Sequence, residues 1–548
     1  MNQKMRSSVD TETSWAEPGT HSQHTPWLLR LVSFGMAAAS LAVGWIMPIN
    51  DDDAFYLHTW WLYGRGYVAH RDFLGTPPGL WLLLAPAAWL PWTPSGFITF
   101  GRALVACTFG LSFYLVGRLV RAYRWEAVLL AAMALPIMLR TEWFTFRRAF
   151  FEILLILWQL VLLEALPRSR RPAWIGFWVG AAGGLMCTIS QRGLFYLPMA
   201  LAVFVWFLWG QWAKLRSVLV GWVVGGLIAA APTIAYIAVH NLWIEQYQWY
   251  VVFPSTIDAH YIGAKELVRI LVYGMMVLIS VGGLLLDRRI PRQSKQLLAF
   301  AAVVIFLITS INFTHYTRAV VFVLIAGLGL SIPRSILDRW AGGRWENRIG
   351  LGLAAAVLLA LAIFDSLTSE CPIAQWPAQW RVRTAQNQVL DWLAQVSQQE
   401  PVLAIDPYHP MVVPNTTFLR GFCPYITWIH NPMFRDRFAD SARQLLHSRP
   451  PLIAATPWPD WTQGRNLIQW FQHNGIGDPA AWKQVREMIR QEYVQISFPA
   501  IRSGRFPAIG ELHYGDTFWI RRDRFQAYPP PDIPHHVRQP EFSTTKAD

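Results

Sequence analysis

Long apolar segments alternate with short polar connections along most of this chain. A window of about 20 residues, which crosses roughly 30 Å of hydrocarbon as a helix, selects the apolar segments. They lie at 27–47, 97–117, 125–139, 150–166, 173–190, 194–211, 217–239, 267–286, 297–312, 319–333 and 349–366. The pattern predicts a polytopic α-helical membrane protein with about eleven transmembrane helices. Residues 27–366 would form the membrane domain, and residues 1–26 a cytoplasmic tail.

A further apolar segment at 77–92 is interrupted by prolines and is only about 15 residues long. Whether it crosses the membrane decides the side on which every later connection lies. If it does not cross and the amino terminus is cytoplasmic, the connections rich in arginine and lysine all lie in the cytoplasm, as the positive-inside rule requires. We therefore expect a re-entrant or interfacial helix here, inside a first exterior loop at 48–96.

The unusual polar residues then gather on the exterior face. The first exterior loop begins with the acidic triplet Asp51, Asp52 and Asp53, and continues with YLHTWWLYGRGY. Later exterior loops contain RTEWFTFRRAFFE at 140–152, SQRGLFY at 190–196 and NFTHYTR at 312–318. One face of the membrane is therefore expected to carry the chemistry.

The carboxy-terminal third has a different pattern. From about residue 367 there is no segment long enough to span, and short strand-like runs alternate with segments of helical periodicity. The strand-like runs are PVLAID, PLIAAT, YVQISF and LHYGDTFWIRR, and the helical segments are VRTAQNQVLDWLAQVSQQ, DRFADSARQLLHS and PAAWKQVREMIRQE. This alternation predicts a small exterior α/β domain at 367–528, followed by a disordered tail at 529–548.

Composition agrees with a membrane protein. The chain is 53% hydrophobic and only 15% charged, and its net charge of +13 lies mainly in short connections between apolar segments. That placement argues against nucleic-acid binding. The chain has no P-loop, no HExxH and no CxxC motif, and its histidines lack metal-ligand spacing. No metal site or resident cofactor is therefore predicted, although a divalent cation beside the acidic triplet is left open because adjacent carboxylates repel one another.

The order of these motifs resembles that of a known superfamily of membrane enzymes. An acidic pair at the end of the first span, a tyrosine three residues later, GRGYVAHRDF, a double proline before a short apolar helix, and FRRAFFE occur in sequence. This order is similar to that of the GT-C glycosyltransferases, in particular family 39, the protein O-mannosyltransferases, and the aminoarabinose lipid A transferases. The likeness covers residues 27–340.

The resemblance implies a function. Members of the superfamily move a sugar from a polyprenyl phosphate donor to an acceptor hydroxyl on the exterior face, with inversion. Acceptors of relatives include protein, lipid A and polysaccharide. A carboxylate near the attacking hydroxyl must accept its proton as the new bond forms. The family pattern implies that Asp52 is the catalytic base, with Asp53 beside it and Tyr56 at the family's tyrosine. Asp51 is then an extra acid, and a shift of the match by one position is possible. Asp53 and Asp51 would tune Asp52 or substitute for it.

Further residues are candidates for holding the two substrates. Arg192 stands where relatives often have lysine before glycine, and it is expected to bind the donor phosphate. Glu152 stands where many relatives have aspartate. The remaining candidates are Arg71, Arg147, Arg148, Lys265, His315 and Arg318. The fold and the resemblance together imply an integral protein of the bacterial inner (plasma) membrane, with the active site and the carboxy-terminal domain facing the periplasm or exterior.

Other interpretations stay open for these residues. The acidic triplet could be a solvated loop or a helix cap, and Arg71 could simply pair with Asp72. Arginines and the candidates Lys265, His315 and Arg318 are also common as interfacial anchors. For the whole chain, the alternative is a transporter or flippase of a lipid-linked saccharide. Such proteins usually place charges near the bilayer midplane, whereas here they lie at span ends.

Overall fold

The structure is a computed structural model. It describes residues 27–49, 51–69, 71–73, 77–248, 264–311, 330–340, 348–350, 352–353, 356, 375–398, 400, 402–404, 440–454, 477–501 and 517–538. Throughout, structural statements concern these residues.

The amino-terminal half is helical. Its helices are α1 Trp27–Ile46, α2 Asp51–Gly64, α3 Gly79–Leu84, α4 Pro94–Leu119, α5 Trp125–Thr141, α6 Arg148–Ala165, α7 Pro172–Ile189, α8 Gly193–Phe207, α9 Trp212–His240 and α10 Trp243–Tyr247. They are followed by α11 Ala264–Leu286, α12 Arg292–Ile311 and α13 Ser331–Trp340. Pro94 and Pro172 stand at the first positions of α4 and α7, where a missing N–H costs nothing.

Five of the helices described are long and apolar enough to cross a membrane: α1, α4, α6 with its 3-10 extension to Arg168, α7 and α9. Large apolar side chains on α9 point away from the protein, with Val220 64% and Val239 79% exposed. Contiguous apolar surface of this kind is suited to lipid. The chain is therefore an integral membrane protein.

The predicted count of about eleven spans is only partly matched. The helices at two predicted spans, α5 and α8, are 17 and 15 residues long, shorter than the roughly 20 residues that a span usually needs. The predicted spans 319–333 and 349–366 lie mostly outside the residues described. Residues 79–89 form α3 and a 3-10 turn, which is too short to cross the bilayer alone.

Close backbone packing between α7 and α9 fixes one wall of the helical region. A Cβ atom on Gly180 would lie 1.9 Å from the carbonyl oxygen of Trp222, and one on Gly225 would lie 2.0 Å from that of Phe177. Only glycine permits this approach, which resembles the small-residue packing of membrane helices. The packing sets the position of Ile189, at the end of α7, beside the candidate site.

The carboxy-terminal region contains a five-stranded sheet among the residues described. Its strands are β1 Leu403–Ala404, β2 Leu452–Ala454, β3 Tyr493–Ser497, β4 Thr517–Arg521 and β5 His536–Arg538, in the order β1-β2-β4-β3-β5. β1 and β2 are parallel and the other pairs antiparallel. The helices are α14 Trp376–Ser397, α15 Ser441–Ser448, α16 Pro479–Glu492 and α17 Arg522–Ala527. Each of the four predicted strand segments and three predicted helical segments contains a strand or helix among the residues described, although parts of several segments lie outside them.

The prediction of a disordered tail from residue 529 is wrong for residues 536–538. These residues form β5, in which Val537 pairs with Ile496 of β3. The sequence pattern could not indicate this strand because all three of its residues are exposed and none contributes a buried apolar side chain. The proline- and histidine-rich composition is therefore the same as that of a disordered tail. The open backbone edge of β3 supplies the hydrogen bonds that order it.

Candidate active site

Arg102 joins the end of the first span to the start of the next helix. It lies in α4, is 1% exposed, and donates to the carbonyl of Met47 at 2.6 Å and that of Pro48 at 2.7 Å. It also donates to the carbonyl of Gly44 in α1. Carbonyls at a helix end have no partner within the helix, so Arg102 supplies what they lack.

The same guanidinium forms an ion pair with Asp53. Nη2 and Nε of Arg102 lie 2.5 and 3.2 Å from Oδ2 of Asp53, and neither side chain is more than 1% exposed. The other carboxylate oxygen accepts the backbone N–H of Phe146, from the second predicted exterior loop. Asp53 therefore holds three chain segments together.

Asp51 and Asp52 are the first two residues of α2. Negative charge is favoured at a helix amino terminus by the helix dipole, so the position suits ionised carboxylates. Arg102 and Asp53 fix the backbone next to both residues. The side chains of Asp51 and Asp52 are not among the groups that the structure describes, so their roles remain predictions.

Aromatic rings line α2 and connect it to the neighbouring elements. Tyr56 stacks on Trp81 of α3 with ring centroids 6.0 Å apart, and Trp60 stacks on Phe146 at 5.4 Å. The indole N–H of Trp60 donates to the carbonyl of Leu84 at 2.7 Å. Tyr56 and Trp60 are buried, so their main effect in this state is to fix α2 against α3 and the loop at Phe146.

The histidine of α2 is not a competing base. His58 is 3% exposed, and burial lowers its pKa to about 3. It is therefore neutral at physiological pH and only weakly basic. Of the titratable groups on α2, the carboxylates at its start are better suited to proton transfer.

The two arginines of the FRRAFFE motif, Arg147 and Arg148, contact different parts of the protein. Arg147 is buried and pairs with Glu142 at 2.5 Å, which closes the loop before α6. Arg148 reaches the carbonyl of Ile189 at 3.4 Å. This contact brings the start of α6 to the end of α7, next to the SQRGLFY motif. Arg147 is thus a loop-closing residue, and Arg148 bridges two predicted site segments.

Glu152 and Arg192 both act on one side chain, that of Tyr196. Glu152 is 7% exposed on α6, and Arg192 immediately precedes α8. The charges of both residues act on the hydroxyl of Tyr196. An acid and a cation are therefore both close enough to this tyrosine for their charges to be felt there, and such a pair of charges could hold a phosphate and a sugar hydroxyl.

Of the remaining sequence candidates, the structure describes the side chain of Arg71. Arg71 is 58% exposed and lies 3.3 Å from Asp72, which in turn accepts the N–H of Val68 at 2.8 Å. This matches the alternative in which the pair stiffens the loop. Lys265 lies in α11, but its side chain is not described, and His315 and Arg318 lie outside the residues described.

Three residues near the junction of α1 and α2 were not predicted from the sequence: Arg102, Arg383 and Gln386. The signal for Arg102 was present, since an arginine inside an apolar helix is expected to have a buried partner. Gln386 lies on α14 and accepts the N–H of Ile49 at 2.7 Å. Arg383 and Gln386 share the buried face of α14 with Leu390, so helical periodicity could have identified an arginine on an apolar face.

A metal site is not apparent among the residues described. No group of three His, Cys, Asp or Glu residues in that part of the chain could hold an ion. We therefore assign no described side chain to the divalent cation that the sequence analysis considered beside the acidic triplet.

Comparison with known proteins gives a structural likeness. No family model matches the chain, and no curated protein matches it. It is similar to the crystal structure of ArnT from Cupriavidus metallidurans bound to undecaprenyl phosphate, with 17% identity and a TM-score of 0.44, covering 71% of this chain and 75% of that one. The apo structure of the same enzyme is similar with 17% identity and a TM-score of 0.44, covering 72% and 75%.

Proposed function

We propose that this protein is a membrane glycosyltransferase that moves a sugar from a polyprenyl phosphate donor to an acceptor hydroxyl. The observation that carries the proposal is the junction of α1 and α2, where the buried Arg102 holds Asp53, the last of three consecutive acids at the mouth of the first span. A lipid-linked sugar presents its anomeric carbon at the headgroup level, so a base that activates the acceptor is needed at that depth.

In this mechanism Asp52 accepts the proton of the attacking hydroxyl. Its backbone is held by the neighbouring Asp53, which we assign to positioning because both of its oxygens are already engaged. The hydroxyl oxygen forms a bond to the anomeric carbon from the side opposite the phosphate, and the bond from that carbon to the phosphate oxygen breaks. The configuration is inverted, and the proton remains on Asp52 until solvent removes it.

The leaving group needs positive charge rather than a strong acid, because a polyprenyl phosphate is already a stable anion. We assign this role to Arg192, with Glu152 and Tyr196 beside it. Arg148 would support the same wall through its contact with Ile189. Because the sequence motifs do not determine the sugar, the proposal extends to hexosyl and pentosyl donors alike.

A transporter of a lipid-linked saccharide is less consistent with these positions. Transporters usually place binding residues on broken helices at the bilayer midplane, whereas Asp51, Asp52 and Asp53 lie in the first turn of α2, and Arg192 immediately precedes α8. The two functions differ in a measurable way. A strain that lacks the transferase should lose a sugar from a surface glycan and retain its lipid-linked donor, as seen by mass spectrometry of both fractions. Loss of donor from the outer leaflet with no enzyme-dependent transfer would favour the transporter.

The protein is expected to place α2 and the carboxy-terminal region outside the cytoplasm, as the loop charges predict. In a variant without its native cysteines, Arg65→Cys and Lys483→Cys should react with a membrane-impermeant maleimide in intact cells whose outer membrane has been permeabilised. The control Lys214→Cys, in a connection predicted to be cytoplasmic, should react only after lysis. All three positions are exposed. Protection of Arg65→Cys in intact cells would reverse the predicted orientation.

Arg192→Ala is expected to weaken donor binding more than it disturbs folding. A charge-assisted contact to phosphate contributes roughly 1.5–3 kcal/mol, so the apparent donor affinity should fall by about tenfold to a hundredfold. Titration of the donor in a transfer assay measures this, with Arg216→Ala as a control at an exposed arginine outside the site. An unchanged donor dependence would make Arg192 an interfacial anchor.

A further inference from the structure

Arg383 of the carboxy-terminal region is a buried cation near the candidate active site. Arg383 lies on α14 and is 3% exposed, although most arginines of this region are at least half exposed to solvent or paired on the surface. It shares the buried face of the helix with Gln386, Leu390 and Leu393. This face packs against the membrane helices α1 and α4.

The position of Arg383 is fixed by its neighbour one turn later. Gln386 accepts the N–H of Ile49 at 2.7 Å and donates to the carbonyl of the same residue at 3.3 Å. Ile49 lies two residues before the acidic triplet. α14 is therefore attached to the segment that leads into α2, and Arg383 lies close enough to Asp53 and Arg102 for both charges to act on it.

Arg383 has no acceptor for Nη1 within the part of the chain that the structure describes. Burial and the nearby charge of Arg102 lower its pKa to about 9, so it still carries its charge at neutral pH. The charge of Asp53 favours the Arg383 cation, although both carboxylate oxygens of Asp53 already accept hydrogen bonds, from Arg102 and from the amide of Phe146. A buried guanidinium that has one N–H group unsatisfied and a second cation nearby is stabilised when a further anion binds beside it.

We propose that Arg383 is an anion-binding residue of the active site and that its ligand is the phosphate of the polyprenyl donor. This inference rests on the proposed function, which supplies one phosphate in every catalytic cycle. The planar guanidinium matches two phosphate oxygens in a fork that lysine lacks. It also gives the carboxy-terminal region a part in the reaction, since the site would be incomplete without α14.

The test uses two matched variants on one helix. Arg383→Met removes the charge and retains much of the side-chain volume, whereas Arg381→Met does the same at an exposed position two residues earlier. The full-length proteins are placed in nanodiscs, and binding of radiolabelled polyprenyl phosphate is compared with that of polyprenol, which has the same chain without the phosphate. Thermal unfolding of each protein is followed by tryptophan fluorescence.

We expect Arg383→Met to bind polyprenyl phosphate roughly tenfold to a hundredfold more weakly, with no change in polyprenol binding. Its unfolding temperature should be equal to or higher than that of the wild type, because a buried charge with an unsatisfied N–H group has been replaced by an apolar group. Arg381→Met should match the wild type in both measurements.

Each contrary outcome has its own meaning. If wild-type protein binds polyprenyl phosphate no better than polyprenol, the proposed function fails and this inference with it. If the wild type discriminates and Arg383→Met discriminates equally well, only the Arg383 inference is overturned. If Arg383→Met is clearly less stable than the wild type or does not fold, Arg383 is a structural anchor, and the inference is equally overturned.

Discussion

Arg102→Ala is expected to destabilise the protein by about 3–5 kcal/mol, the range found when one member of a buried ion pair is removed. The substitution leaves Asp53 as a buried charge without its cation, and it leaves the end of α1 without a donor for its carbonyls. The loss should be visible as a lower midpoint of unfolding in detergent and as lower yield from the membrane.

Arg118→Ala is the matched control for this prediction. Arg118 lies in the last turn of the same helix, α4, and is exposed, so its removal should leave stability nearly unchanged. Asp53→Asn should also destabilise, and the effects of the two single substitutions should not add because the residues act as a pair. Equal stability of Arg102→Ala and Arg118→Ala would show that the contacts of Arg102 with Asp53 and with the end of α1 are not needed for folding.

Asp52→Asn is expected to lower sugar transfer by at least about 100-fold, as is typical when a general base is lost. Asparagine keeps the size of the side chain and removes its basicity. The protein should still insert into the membrane, unfold at the wild-type temperature and bind polyprenyl phosphate. This combination separates Asp52 from Asp53, whose substitution should reduce activity through loss of folded protein.

Asp51→Asn is the control within the triplet, and it should be the mildest of the three substitutions. If Asp51→Asn or Asp53→Asn abolishes turnover per folded molecule while Asp52→Asn retains it, the base is one position away from our assignment. Full activity in all three variants would leave the triplet as a cap for the amino terminus of α2.

Much of the secondary structure could be predicted because local pattern determines it. The strands near Leu403, Ile453, Val494 and Trp519 are short apolar runs bounded by polar or proline residues, and each forms where the pattern indicated. The edge strand at 536–538 could not be predicted in this way, because its order comes from the backbone of β3 rather than from its own side chains.

The sequence indicated which segments form the candidate site, but not which residues of those segments contact one another. The motifs placed Asp53 and the FRRAFFE loop on one face, yet no local pattern shows that the amide of Phe146 would bind Asp53. Contacts between positions far apart in the chain depend on tertiary packing. The clearest example is Gln386, which binds Ile49 from 337 residues away. The same contact holds α14, and therefore Arg383, next to the junction of α1 and α2.

The most direct test of the account is transfer of radiolabelled sugar by purified protein. Polyprenyl phosphate sugar, prepared as a mixture from membranes of the host, is incubated in proteoliposomes with a cell-envelope acceptor fraction. We predict that wild-type protein releases polyprenyl phosphate and labels the acceptor, and that Asp52→Asn binds the donor but transfers at least about 100-fold more slowly. Labelling that is equally fast with Asp52→Asn, or absent with the wild type while the lipid-linked sugar merely crosses the bilayer, would contradict the account.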